Sequence, residues 1–182
     1  MNIFYSNNID SNIIILNKIE ANHCIKVLRN DIGDKVLVTD GRGYMYDCKI
    51  KNIKNKTVYL DIINKIKNTK DYNIHIAISP IKNHERLEWF VEKSVEIGID
   101  RISFIKCERT LRKNIRAERL NKIAIAAMKQ SLKAQIPIID SIVKIDDFIK
   151  TCNAKNRFIC YLEDSNDNIF NKVLNKGTDI CI

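Results

Sequence analysis

Nine basic residues crowd one short stretch of this 182-residue chain. Between positions 106 and 133, Lys106, Arg109, Arg112, Lys113, Arg116, Arg119, Lys122, Lys129 and Lys133 meet only Glu108 and Glu118, a local balance of nine minus two, or +7. The whole chain carries 31 Lys and Arg against 22 Asp and Glu, a net +9, so most of the excess positive charge is concentrated there. Clustered cations attract phosphates and release their counterions, which gives salt-dependent affinity for nucleic acid. A solvated helix face has the same composition, and charge alone leaves both readings open.

Other reactive side chains are less directive. Glu85, Glu88, Glu92 and Glu96 recur at helical spacing, as a solvated acidic stripe would. The six cysteines, Cys24, Cys48, Cys107, Cys152, Cys160 and Cys181, form no Cys-x-x-Cys pair and have no His at ligand spacing. The expectation is therefore reduced thiols and no metal. No Gly-x-Gly-x-x-Gly or Gly-x-x-x-x-Gly-Lys-Ser/Thr loop follows a strand, which disfavours a nucleotide-binding protein. With 45% hydrophobic and 29% charged residues the chain has the composition of a folded domain rather than a disordered one. No run approaches the roughly 18 apolar residues of a membrane span, and no signal-peptide pattern opens the chain. A cytoplasmic protein is expected.

The elements that must position these residues change character near Lys70. Before it, apolar runs at residues 2–5, 12–16, 35–40, 45–52 and 57–66 are separated by turn residues such as Asp40-Gly41-Arg42-Gly43. They predict a small antiparallel barrel or sandwich, interrupted by a helix over 20–29, with a lysine-rich linker over 64–73. After it, strands at 74–79, 101–105 and 157–162 alternate with helices at 85–97 and 116–135. A short strand near Ile138, helices over 145–151 and 168–174, and a last strand over 179–182 complete the pattern of a parallel sheet covered by helices.

The helix over 85–97 has its punctuation in the sequence. Asn83 caps its start, Gly98 suits its end, and Leu87, Phe90, Val91 and Val95 make its apolar stripe. In the helix over 116–135, Leu120, Ile123, Ala124, Ala127, Met128 and Ala134 share one side, opposite the basic stripe Arg119, Lys122, Lys129 and Lys133. Ser131 lies within the apolar face, where its hydroxyl bonds a carbonyl one turn back. Gln130 sits at the boundary of the two faces, with an amide able to reach a base or backbone group.

Several of these motifs together resemble one family. Arg86-Leu87-Glu88-Trp89, Glu92-Lys93-Ser94-Val95-Glu96-Ile97-Gly98, Glu108-Arg109, Ile123-Ala124-Ile125-Ala126-Ala127, Gln130-Ser131 and Pro137 are similar to the RsmE ribosomal RNA methyltransferases. In the N-terminal part, His23-Cys24-Ile25-Lys26-Val27-Leu28-Arg29, Gly33-Asp34 and Asp40-Gly41-Arg42-Gly43 resemble that family in order and spacing. The resemblance implies methylation of N3 of a uridine in 16S ribosomal RNA, with S-adenosylmethionine as methyl donor and a homodimer as the assembly. It implies an N-terminal PUA-like β-barrel over 1–70. An incomplete SPOUT (α/β knot) methyltransferase domain then follows over 74–182. The family's later Gly-Pro-Glu-Gly-Gly-like loop and Arg-Thr-Glu-Thr-like segment are not in this chain, and the expectation is a chain lacking the cofactor-binding knot and unable by itself to bind the methyl donor.

The resemblance makes His23, Arg29 and Arg109 candidate RNA contacts, the basic cluster adds Arg112, Lys113, Arg116 and Lys133, and the boundary of the α-helical faces adds Gln130; by the resemblance Tyr161, Leu162 and Glu163 begin a cofactor loop. For His23, ordering the barrel is an equal alternative. No residue identifies itself as the catalytic base, Glu88 and Glu96 being better explained as salt links. The competing reading is a noncatalytic RNA-binding or ribosome-assembly module.

Overall fold

A computed structural model of the chain describes residues 3–68, 70–161 and 177–182. Contacts divide it into two units, one of Met1–Thr69 with Lys122–Ile136 and the other of Lys70–Asn121 with Pro137–Ile182.

The first unit is built on a six-stranded sheet. Its strands are β1 (Ile3–Tyr5), β2 (Ile9–Asp10), β3 (Ile13–Ile15), β4 (Lys35–Thr39), β5 (Tyr44–Lys54) and β6 (Thr57–Lys67), in the order β1-β4-β5-β6-β3-β2. Apolar residues alternate inward, so Val36, Val38, Tyr46, Cys48, Ile50, Val58 and Leu60 form a core with Phe4, Ile14 and Leu16. Two register shifts in β5, between Asp47 and Cys48 and between Ile50 and Asn52, let the strand bend around that core. Asn55 and Lys56 both take positive φ, 50° and 62°, matching the twist of a tight β5–β6 hairpin.

Three expectations for this unit are corrected. The sheet is not wholly antiparallel, because β1 pairs with β4 in parallel. The lysine-rich residues 64–67 are not linker but the end of β6, held by pairing of Lys65 with Tyr46 and Lys67 with Tyr44. The helix expected over 20–29 is α1 (Lys18–Asn22) followed by a π-helical turn, His23–Val27, which buries Ala21 and Cys24 completely. Asn17 caps α1 by accepting from the Ile19 and Glu20 amides at 3.0 Å each.

Lys122–Ile136 joins the first unit through specific bonds, although the sequence pattern placed every residue after 74 in one later domain. The Gly43 amide donates to Ala134 O at 2.9 Å and the Ile136 amide to Gly41 O at 2.9 Å. Gly41 takes φ +71°, and a Cβ there would lie 2.7 Å from the Ile136 side chain, so this close approach requires glycine. The Asp40 carboxylate shapes the turn by accepting from the amides of Arg42 (2.7 Å) and Tyr44 (3.1 Å) and from the Tyr46 hydroxyl (3.2 Å).

The second unit is a five-stranded, wholly parallel sheet ordered β10-β11-β7-β8-β9. Its strands are β7 (Ile74–Ile78), β8 (Arg101–Lys106), β9 (Ile138–Lys144), β10 (Asn156–Arg157) and β11 (Ile180–Cys181). The helices are α2 (His84–Ile97), α3 (Ala117–Gln130), shared across the unit boundary, and α4 (Ile145–Thr151). Asn83 caps α2 through the Arg86 amide, and Gly98 ends it at φ 97°. Leu87, Val91 and Val95 are buried as the stripe requires. The expected strand over 157–162 is reduced to Asn156–Arg157, and the expected helix over 168–174 lies outside the described residues.

α3 ends at Gln130 rather than 135. The Lys133 amide bonds Met128 O (3.0 Å) and the Leu132 amide bonds Lys129 O (3.3 Å), with Leu132 at φ 54°. This paired closure normally uses glycine at the left-handed position, and a leucine there carries no stop signal. Ser131 does bond Ala127 O, at 2.7 Å.

One residue that the sequence reading passed over registers the parallel strands. Asp100 is 8% exposed; its carboxylate accepts from the Ile74 amide at 2.7 Å and from Lys70 Nζ at 2.6 Å. Its own amide donates to Ile74 O and its carbonyl accepts from the Ile138 amide, both at 2.9 Å. Removing one partner of a buried, hydrogen-bonded ion pair typically destabilises by about 3–5 kcal/mol. Asp100→Ala is expected to lower unfolding free energy by about that amount in urea melts, whereas a loss within about 0.5 kcal/mol would show that the strands are registered by other contacts.

Candidate functional site

In a parallel sheet the loops that follow the strands gather along one edge, where open α/β folds bind ligands. Here the loops after β7 and β8 are tied together. Arg112 donates from Nε to Ile81 O at 2.8 Å and from Nη2 to Lys82 O, while Nη1 lies 3.0 Å from both ring nitrogens of His84. Below this clamp the hydroxyls of Ser79 and Thr110 meet at 2.7 Å, and Thr110 Oγ1 accepts from the Cys107 amide at 2.8 Å.

That arrangement sorts the basic residues. Arg112 is a strut, its fork occupied by two carbonyls and an imidazole. Arg109, Lys113 and Arg116 are exposed, and their side chains make no hydrogen bond or ion pair among the described residues. Arg119 is taken up by Glu88, through Nε at 3.2 Å and Nη2 at 3.0 Å. Lys129 is taken up by the buried Glu20 at 2.6 and 2.8 Å. The basic stripe on α3 is thus partly neutralised, and so is the acidic stripe on α2, where Lys93 bridges Glu92 and Glu96 at 2.9 Å.

The remaining candidates lie elsewhere. In the first unit, His23 packs edge-on against Phe4 with ring centroids 6.0 Å apart, as a residue ordering the core does. Arg29 is exposed on the turn that leaves the π-helix, at φ 55°. Gln130 is exposed and Lys133 half-buried at the end of α3. In the second unit Tyr161 is 71% exposed beyond β10; Leu162 and Glu163 lie outside the described residues.

A second group, which the sequence reading missed, lies under α4. A cavity of about 250 Å³ is lined by His75, Arg101, Ser103, Asp140, Phe148 and Cys152 among others. Arg101 grips Asp140 with Nε at 2.7 Å and Nη2 at 3.1 Å, and Ser103 donates to the same carboxylate. Burial raises the Asp140 pKa, but these hydrogen bonds outweigh it and hold the group below the usual carboxylate range. Burial, then the Arg101 charge, pushes His75 below its ordinary value. His75 Nε2 lies 2.8 Å from Ser103 Oγ. The serine has one hydrogen, which goes to Asp140, so His75 Nε2 must donate. Ser103 is a relay held at both ends rather than a nucleophile activated by histidine.

His75, Cys152 and Cys181 also bring one ligand atom each to within 4.8 Å of one another. The metal-free expectation rested on sequence spacing, and these three come from two strands and a helix end that only the fold brings together. Burial, then a hydrogen bond that its own thiol donates to Cys152, pushes the Cys181 thiol up to about 12.

A family model described as an RNA methyltransferase domain matches residues 68–182, and another described as an RNA methyltransferase PUA domain matches residues 16–63. Ribosomal RNA small subunit methyltransferase E of Buchnera aphidicola (Acyrthosiphon pisum) is 28% identical over 145 residues, covering 75% of this chain and 57% of that protein. The Bacillus subtilis protein of the same name is 21% identical, covering 80% of this chain and 60% of its own length. The chain therefore spans less than two thirds of these relatives. A crystal structure of a probable rRNA-methyltransferase from Porphyromonas gingivalis is 37% identical with a TM-score of 0.88, covering 100% of this chain and 78% of that one. The fold is shared with ribosomal RNA small subunit methyltransferase E from Neisseria gonorrhoeae bound to S-adenosyl methionine, at 22% identity and a TM-score of 0.75, covering 100% of this chain and 78% of that one.

The Arg112 clamp makes one pH-dependent prediction. Burial, then Arg112 and Arg116, lowers the His84 pKa, with Glu88 opposing. A depressed folded pKa means that the proton binds more tightly once the clamp opens, so the clamp is intact above the ordinary imidazole value of about 6.5 and weakens as pH falls below it. Amide-exchange protection over residues 107–112 is expected to fall as pH drops from about 7.5 to about 5.5. His84→Gln, which accepts without titrating, is expected to remove that dependence; a variant still as pH-sensitive as the parent would assign it to another group.

Proposed function

The chain belongs to the RNA methyltransferase domain family, preceded by an RNA methyltransferase PUA domain, and from that premise we propose that it grips RNA for methylation of N3 of a uridine in 16S ribosomal RNA. The observation that carries the reading is the clamped edge of the parallel sheet, where Arg109, Lys113 and Arg116 stand exposed beside the fixed Arg112. Relatives named ribosomal RNA small subunit methyltransferase E support the substrate class. The homodimer implied by the resemblance belongs to the same proposal, and so do His23, Arg29, Gln130 and Lys133 as RNA contacts of the first unit.

S-adenosylmethionine is the proposed methyl donor, in keeping with the ligand of the Neisseria structure. Ile159 and Tyr161, 90% and 71% exposed, follow β10 on the same edge of the sheet, and an apolar and aromatic pair fits a purine ring. When bound, the donor supplies an electrophilic methyl group on a sulfonium centre. The chain's own residues supply position and field. Arg109, Lys113 and Arg116 hold the backbone phosphates that place the uridine, which is presented unstacked. Their positive potential favours the anion left when N3 loses its proton, a fixed electrostatic contribution to the barrier. No side chain is assigned as the base.

Each phosphate contact contributes about 0.7 to 0.9 to the slope of log affinity against log salt. The variant with Arg109, Lys113 and Arg116 all replaced by Ala is expected to bind small-subunit RNA more weakly, with the slope shallower by about 2–3; an unchanged slope would return these residues to a solvated surface. The reaction is tested at the gene. Deleting the encoding gene is expected to remove a 3-methyluridine from digested small-subunit RNA read by mass spectrometry. Unchanged 3-methyluridine with RNA binding intact would establish the noncatalytic RNA-binding reading instead.

A further inference from the structure

His75, Cys152 and Cys181 have no part in the proposed RNA grip or in holding the methyl donor. We infer that they form a zinc-class metal site, with His75 and the two thiolates as ligands and the fourth coordination position open to the cavity under α4.

Strand register brings two of the three ligands together. Cys181 of β11 lies directly opposite His75 of β7 in a parallel pair, so both side chains leave the same face of the sheet. Backbone bonds on both sides of the pair fix it, from the Ile182 amide to His75 O at 3.0 Å and from the Phe158 amide to Cys181 O at 2.8 Å. Cys152 is the residue that closes α4, its amide bonded to Phe148 O at 2.9 Å. The third ligand therefore comes from a helix end covering that face. The Phe148 ring stands edge-on to the His75 imidazole at 5.4 Å and 77°, which limits rotation of the ring.

Ligand separation and the histidine tautomer both suit a metal. Tetrahedral zinc with bonds of about 2.3 Å to sulfur and 2.0–2.1 Å to nitrogen places its ligand atoms on the order of 3.5–3.8 Å apart. The observed limit of 4.8 Å is about 1 Å wider, within reach of small side-chain rotations. Two sulfurs and one imidazole nitrogen form a donor set selective for zinc over magnesium or calcium. The Asp140–Ser103–His75 relay fixes the tautomer. Ser103 gives its hydrogen to Asp140 and accepts from His75 Nε2, which leaves Nδ1 with the lone pair a metal needs. A carboxylate acting through a hydroxyl thereby orients the histidine, as outer partners of zinc ligands do. On binding, each thiol gives its proton to solvent and two metal–sulfur bonds and one metal–nitrogen bond form, with no change of oxidation state.

The test is titration of the whole chain with cobalt(II), kept reduced by a phosphine. The expected result is an intense thiolate-to-cobalt charge-transfer band with tetrahedral d–d bands, saturating at one equivalent and bleached by one equivalent of zinc. Cys152→Ser, at a half-exposed position, and His75→Gln are expected to abolish the tetrahedral spectrum while circular dichroism stays that of the parent. Cys160→Ser, which alters an exposed thiol, is expected to keep it. Ser103→Ala is expected to weaken affinity about 10- to 100-fold with the bands unmoved, and unchanged affinity would remove Ser103 from the site. Absence of a charge-transfer band in the folded parent overturns the assignment, as does a band that survives Cys152→Ser or is lost in Cys160→Ser.

Discussion

The second unit depends on one buried carboxylate at the amino-terminal end of its sheet. Asp100 bonds the start of β7 through side chain and backbone, the start of β9 through its carbonyl, and Lys70 through charge. A parallel ladder has evenly spaced, slanted bonds and no hairpin to set its register, so registration has to come from outside the repeat. Asp100 supplies it just before β8 begins. Once the starts of three strands are aligned, their ends are aligned too, and the loops after β7 and β8 arrive close enough for Arg112 to join them. The order is stability at one end of the sheet and the proposed RNA grip at the other.

The positive charge divides along the same lines. Arg101, Arg112 and Arg119 are all engaged in two-pronged contacts, with Asp140, with two loop carbonyls and with Glu88. The planar guanidinium suits that geometry, since several donors are fixed in one plane. Arg109, Lys113 and Arg116 stay exposed. Net charge from composition counts both groups alike, so +7 over residues 106–133 overstates what is available to a phosphate. The surface that remains is small but held in place by the arginine committed to structure.

What the sequence reveals and what it hides follow from how far apart the determining residues lie. α2 is legible because its cap, stripe and terminal glycine are all local; the bounds of α4 match the expected 145–151 for the same reason. The end of α3 is hidden because Leu132 occupies a left-handed position where glycine is the usual marker. Membership of Lys122–Ile136 in the first unit is hidden because it rests on bonds to Gly41 and Gly43, nearly a hundred residues earlier in the chain. The exposed cations of residues 107–116 are legible as a group by their density. The Arg112 strut is not, since its partners are carbonyls of another loop and carry no side-chain signature. The group under α4 is the extreme case, with His75, Ser103, Asp140, Cys152 and Cys181 drawn from four strands and one helix end and sharing no local motif.

Position decides what a metal at that group would do. His75 lies near the start of β7 and Ser79 just past its end, so about four residues of extended backbone, on the order of 13 Å, separate the cluster from the clamped edge. That is too far for a metal to polarise a base held beside Arg109. It is close enough to act through the strands, because its ligands would cross-link β7, β11 and the end of α4. β11 pairs over two residues on each side, a short ladder for a central strand, supplemented by the bonds of Asp179 and Ile182 to the residues of β7 and just before it. Three metal–ligand bonds at that point would fix β11 in the sheet, and with it the edge from which β7, β10 and β11 send out their loops. The metal's role in this geometry is positional, and the open fourth ligand position leaves its affinity sensitive to what enters the cavity.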